Sequence, residues 1–316
     1  MSSTRALQTA VLFRLPPEVL SNILPVLDGS ALIALSQSCS LFKTLVADEW
    51  RRRVYYKTRM HVSDAASLYS MLDGIGGVVS GSTPFSLLQS SNCDFSLPPW
   101  VTGSDLDIYV PDVASRDTLI AYLHKEDGYG DVPFTSAFDE RYWEDPSVIT
   151  SITRLASDRF SGHVDVVCAR GGSAVMPILS FWSTLVMNFV TGSRIIVLYP
   201  RTTLSGRGYT NPTSHSDKLQ ACTQKYQDRG FAVGRFPHTA DECHDPDNYC
   251  PSKLRYTEDC QTLSITWKSD ASQPRTVARA PSFGRRRFSV PPAFWTWSAC
   301  RAQSDFFFPN SVIRLL

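Results

Sequence analysis

Three aspartates and one small-residue turn are the positions in this sequence whose types and spacing could do chemistry. Asp105-Leu106-Asp107-Ile108-Tyr109-Val110 reads as a β-strand, and on a strand residues i and i+2 share a face. Asp105 and Asp107 therefore project together, while Leu106 and Ile108 turn toward a core. Neighbouring carboxylates repel, and neither is buried cheaply. Either they meet solvent or a divalent cation joins them. Asp165 is a lone acid in the β-branched run Val164-Asp165-Val166-Val167. Its neighbours face the other way, so it marks a polar sheet face or a site. Upstream, Gly74-Ile75-Gly76-Gly77-Val78-Val79-Ser80-Gly81-Ser82 reads as a short strand, a tight Gly-Ser turn and the start of a helix.

Other reactive side chains carry less. His238, Cys243, His244, Cys250 and Cys260 fall close together, yet no paired C-x₂-C knuckle exists, and zinc is not expected. The Met, Phe and Trp stripe between Met176 and Val190 is expected to be core. Arg285-Arg286-Arg287 reads as a solvated tripeptide in preference to an anion patch or a nuclear signal.

The elements that must position the aspartates follow from pattern. Ser63-Asp64 precedes a helix carrying Leu68, Met71 and Leu72. Residues 89–103, rich in Ser, Pro and Asn, read as an exposed loop. Arg116 to Lys125 is an amphipathic helix with Leu119, Ile120 and Leu123. Val148 to Leu155 pairs with Val164 to Val167 through the turn-rich Ser157 to Gly162. Met176 to Val190 is expected to be a buried helix, and Arg194 to Leu198 a strand ended by Tyr199-Pro200. Ser216 to Arg229 is a helix with Gly230 as its stop. Cys260 begins an alternating segment with Leu263, Ile265 and Trp267, which suits a packed strand. The end, with Trp295, Trp297 and Phe306-Phe307-Phe308, is too aromatic for a free tail and packs on the body or binds a partner.

The first 56 residues are helical by the same reading. Leu15-Pro16-Pro17-Glu18 opens a helix, with Val19, Leu20, Ile23, Leu24 and Leu27 on one face. Asp28-Gly29 makes a turn, Ser30 caps a second helix with Leu32 and Leu35, and Ser40 caps a third with Phe42, Leu45, Val46 and Trp50. Arg51 to Arg53 lie near its end. Three short helices make a poor core alone and need a partner surface.

Composition bounds the function. The 316 residues are 43% hydrophobic and 19% charged, which excludes wholesale disorder. With 31 basic against 30 acidic residues, no global field draws the chain to nucleic acid or an anionic membrane. The apolar stretch from Ala174 to Tyr199 is broken by polar residues, so no membrane span is expected. The N-terminus lacks the apolar core of a secretory signal. Eight scattered cysteines read as free thiols in the cytoplasm or nucleus. No internal repeat is evident.

The segment Leu15 to about Val46 resembles an F-box. That resemblance implies docking on a Skp-type adaptor of a cullin–RING ubiquitin ligase, with the rest of the chain selecting an unknown client. Leu15, Pro16, Ile23, Leu24 and Leu27 would be among the docking and packing residues. The block Gly81-Ser82, Asp105-Leu106-Asp107 and Asp165 resembles the nucleotidyltransferase superfamily. There the Gly81-Ser82 turn would hold a nucleoside triphosphate through backbone N–H groups, and Asp105, Asp107 and Asp165 would bind Mg²⁺ and be catalytic. Ser82 and Asp105 are 23 positions apart, longer than that family's usual gap, and no base or acceptor signal is visible. The pairing of both blocks resembles a group of fungal F-box proteins.

The expected fold is therefore α+β: a three-helix F-box at 1–56, a nucleotidyltransferase-like mixed sheet with flanking helices at 57–270, and an aromatic and basic segment at 271–316. The expected function is an F-box adaptor whose body serves recognition. An active Mg²⁺-dependent nucleotidyltransferase is the alternative.

Overall fold

Capping residues set the N-terminal helices. In the computed structural model the described residues are 15–89, 99–101, 103–133, 147–212, 214, 216–237, 250–251, 253–267, 293–295 and 314–315. Helix α1 (Pro17–Ile23) starts on a proline and continues as a 3₁₀ turn, Leu24–Val26. Helix α2 (Gly29–Ser36) is capped by Asp28, whose Oδ1 accepts from the Ala31 N–H at 2.7 Å. The cap thus falls two positions before Ser30, and its carboxylate also meets the positive helix end. Helix α3 (Ser40–Thr58) is capped by Cys39 rather than Ser40, because Cys39 holds the extended backbone and its Sγ accepts from Phe42 N–H at 3.5 Å.

Helix α3 crosses position 56 without a break, which puts Arg51 to Arg53 in its middle. Leu24, Leu32, Val46, Trp50 and Val54 share one buried cluster with Leu68, Leu72, Val79, Leu106, Ile108, Val164 and Val166. The surface the short helices need is therefore the sheet and its helices. A Cβ on Gly29 would lie 2.6 Å from the Leu88 carbonyl oxygen, so glycine permits the closest approach.

Asp64 caps helix α4 (Ala65–Ile75), which leads into β1 (Val78–Ser80), the turn at Gly81 and helix α5 (Ser82–Gln89). Strand β2 (Leu106–Val110), helix α6 (Val113–Asp127), β3 (Gly130–Asp131), β4 (Ile149–Ala156) and β5 (Val164–Ala169) follow. With β6 (Asn188–Val190), β7 (Arg194–Val197) and β11 (Leu263–Thr266) they make an eight-stranded sheet, in order β11-β7-β6-β1-β2-β5-β4-β3. β2 and β5 are parallel and their other neighbours antiparallel. The fold is mixed α+β, as expected. Leu106, Ile108, Val164 and Val166 face the helical N-terminal region, whereas Tyr109 and Val167 join a second cluster.

The expected buried helix from Met176 to Val190 is not one helix. A single turn, α7 (Met176–Leu179), gives way to a 3₁₀ turn at Thr184–Val186 and then to β6, paired with β7. The run is buried as expected but not helical throughout, because a short apolar run fits either element. Helix α8 (Pro200–Leu204) follows β7. Strand β8 (Arg207–Tyr209) pairs in parallel with β9 (Ala232–Gly234), and between them lies α9 (Ser216–Asp228), stopped at Gly230 with φ +88°.

At the C-terminal side, β10 (Arg255–Tyr256), β12 (Ala293–Trp295) and β13 (Arg314–Leu315) form a small sheet. Trp295 is fully buried in the second cluster, and its Nε1 donates to the Tyr199 hydroxyl at 3.2 Å. The aromatic segment thus packs back on the body at Trp295. Trp297, Phe306 to Phe308 and Arg285 to Arg287 lie outside the described residues, as do His238, Cys243 and His244. Cys250 is buried and Cys260 exposed. No helix among the described residues is long and apolar enough to cross a membrane.

Candidate functional site

Strand register brings the polar residues into a row. Ser80 lies opposite Asp107, Asp107 beside Asp165, and Asp165 opposite Arg154, across β1, β2, β5 and β4. Register partners share a sheet face, so the row occupies the face opposite the N-terminal helices. Ser80 turns its Oγ to the Asn188 carbonyl at 2.7 Å. The turn after it closes tightly: Gly81 has φ +68°, and a Cβ there would overlap the Asp107 carboxylate.

Asp165 is 1% exposed. Arg154 grips it with two parallel bonds, Nε to Oδ1 at 2.8 Å and Nη2 to Oδ2 at 2.7 Å. The same Nη2 lies 3.9 Å from Asp105 Oδ2. Asp105 also accepts from the His163 backbone N–H at 3.3 Å, and the His163 ring nitrogen Nδ1 lies 3.4 Å away. Asp107 is partly buried. Burial, then the Asp165 and Asp105 charges, push its carboxyl well above the usual range, against the pull of Lys225 and Arg154. Burial also lifts the Asp165 carboxyl, and Arg154 draws it part of the way back.

The structure therefore collects Asp105, Asp107 and Asp165 at the N-terminal ends of the central strands β2 and β5, with Gly81 against Asp107. Ser82 opens α5, and beside it the buried Thr83 Oγ1 has no hydrogen-bond partner among the described residues. Divalent ions need free carboxylate oxygens. Both oxygens of Asp165 hold a guanidinium instead, and no group of three or more His, Cys, Asp or Glu among the described residues has metal-binding geometry. As arranged, the donor set does not fit a pair of Mg²⁺ ions.

Sequence reasoning missed Arg154, although the expected hairpin contained it: pairing Leu155 with Val164 sets Arg154 opposite Asp165. Helix α9 was expected as a helix, but not its place beside the row, where the Lys225 charge draws the Asp107 carboxyl down. Nearby, the Arg229 guanidinium lies 4.5 Å from the Trp100 ring centre and 4.9 Å from that of Tyr226.

The N-terminal helices present a second surface. Pro16, Val19 and Leu41 are exposed, the last two at 39% and 45%. Leu15, Ile23 and Leu27 are half-buried, and Leu24 is a packing residue of the main core. Buried Arg53 secures this geometry. Its guanidinium donates to the backbone carbonyls of Leu24 and Pro25 at 3.1 Å and Leu27 at 2.7 Å, and separately to the Glu49 carboxylate at 2.7 Å. These carbonyls close α1 and its 3₁₀ extension, where a helix leaves acceptors open.

A helical N-terminal module set on a mixed α+β body is the class these features define. Residues 12–56 match the family model for F-box-like domains, so the chain carries an F-box-like domain. No curated protein and no solved structure matches the chain.

Proposed function

We propose that the protein is an adaptor of a Skp–cullin–RING ubiquitin ligase that recruits a client protein through its body. The F-box-like match over residues 12–56 carries the reading. Exposed Pro16, Val19 and Leu41, with half-buried Leu15, Ile23 and Leu27, are the docking residues for a Skp-type adaptor, and Leu24 packs behind them. This reading divides the chain into a module at 1–56, a body at 57–270 and a C-terminal segment at 271–316, and places it in the cytoplasm or nucleus. Co-purification with a Skp-type adaptor tests it. The wild type is expected to bind, and a Val19→Asp, Leu41→Asp variant with unchanged circular dichroism is expected to lose the adaptor. Retention at wild-type level removes the docking assignment.

A second reading rests on the alignment of Asp107 with Asp165 beside the Gly81 turn: a nucleotidyltransferase-like body that binds a nucleoside triphosphate with Mg²⁺. Gly81 and Ser82 would hold the phosphates, and Asp105, Asp107 and Asp165 would take the ions only with Arg154 released from Asp165. The grip of Arg154 on Asp165 favours recognition over catalysis. Mg²⁺-dependent triphosphate binding that Asp107→Ala abolishes would support the enzyme; its absence from the wild type supports the adaptor alone.

A further inference from the structure

We propose that Arg154 is the resident cation of the aspartate row: its guanidinium takes the place a divalent ion would fill and keeps such ions out. The proposal uses the geometry of the row alone and holds whether or not the body is nucleotidyltransferase-like.

Three observations combine. Arg154 is placed by the sheet itself, directly opposite Asp165 in the β4–β5 register. Its planar fork satisfies both Asp165 oxygens at 2.7 and 2.8 Å, the bidentate arrangement that a carboxylate offers to arginine and to no other side chain. The same guanidinium lies 3.9 Å from Asp105, so one side chain is shared between two of the three acids. Asp165 is 1% exposed and the Arg154 side chain 13% exposed. A buried carboxylate needs a counter-charge, and here a neighbouring strand supplies it. An incoming ion would have to displace a largely covered arginine that is doubly bonded to a buried carboxylate. With Arg154 removed, Asp105, Asp107 and Asp165 are three oxygen-donor groups on one sheet face, the ligand type hard cations choose.

The test titrates Mn²⁺ alone, in place of Mg²⁺, into the full chain and reads free Mn²⁺ by electron paramagnetic resonance and stability by thermal melting. For the wild type, no binding sensitive to Asp107→Asn is expected, and no rise in melting temperature. For Arg154→Met, Mn²⁺ binding is expected to appear. At ten times the dissociation constant it should raise the melting temperature by about 2 °C. A folded Arg154→Met variant that binds Mn²⁺ no better than wild type overturns the proposal. So does wild-type Mn²⁺ binding that Asp107→Asn removes, a result that decides the matter even where Arg154→Met does not fold. Neither result bears on adaptor docking at the N-terminal helices.

Discussion

Lys57, the penultimate residue of α3, donates from Nζ to Ser104 Oγ at 3.1 Å and to the Val101 carbonyl at 3.0 Å. The side chain is fully buried. One amine thus fastens the last turn of α3, just past the F-box-like match at 12–56, to the segment that leads into Asp105.

Burial lowers the Lys57 amine to about 8. Its folded value lies below the unfolded one, about 10.4. Between these values the unfolded chain binds more protons, so stability rises with pH across that window, by at most about 3 kcal/mol. Urea unfolding at pH 7.5 and pH 10 should show this gain in the wild type and a smaller one in Lys57→Met. Equal gains in both proteins would remove the lysine from the account.

His61 is 2% exposed, and neither ring nitrogen has a hydrogen-bond partner among the described residues. Burial, helped by the Lys57 charge and opposed by Asp105, lowers it to about 4. Its protonation is thus deferred on folding, and stability falls as pH drops from about 6.5 toward 4. His61→Leu is expected to flatten the acid limb of a stability–pH curve by up to about 3 kcal/mol. An unchanged limb would place the acid sensitivity elsewhere.

Arg53 holds three carbonyls at the end of α1 and its extension. Arg53→Met removes the guanidinium donor from all three, the Leu24 carbonyl keeping the Leu27 N–H at 3.2 Å, while Glu49 keeps Arg52 at 2.7 Å. A loss of roughly 2–4 kcal/mol is expected in chemical denaturation, together with weakened adaptor binding. Arg53→Lys should recover little, since a point charge cannot span the same acceptors. Full recovery by lysine would show that charge alone matters there.

Gly81 combines a left-handed backbone with direct apposition to Asp107. Gly81→Ala costs about 1–2 kcal/mol for the backbone alone, plus the overlap with the carboxylate. Asp107→Ala in the same chain should relieve the second part, giving a coupling above about 0.5 kcal/mol in a double-mutant cycle. Additive losses would mean that the two residues do not touch.

Much of this architecture could be read from the residues. Helices α4, α6 and α9, the strand–turn–helix at Gly81 and the β4–β5 hairpin follow from capping, periodicity and turn chemistry, all of which are local. The run from Met176 to Val190 defeated the same method because full burial erases the difference between a 3.6- and a 2-residue period; pairing with β7 decided it. At the aspartate row, side-chain type identified the acids. Their neutralisation depended on register across strands, and so Arg154 stayed hidden although its strand was foreseen. The partnership of the N-terminal helices with the sheet was foreseen only as a need for some covering surface.

The uninterrupted α3 has a mechanical meaning. Because one rod carries Leu41 in its first turn and ends clamped through Lys57 to the segment before β2, turning the front module relative to the back would require snapping a helix and prising open a common interior. A macromolecule gripped at the front would therefore stand in one fixed orientation to the aspartate row on the opposite sheet face, set when the chain folds.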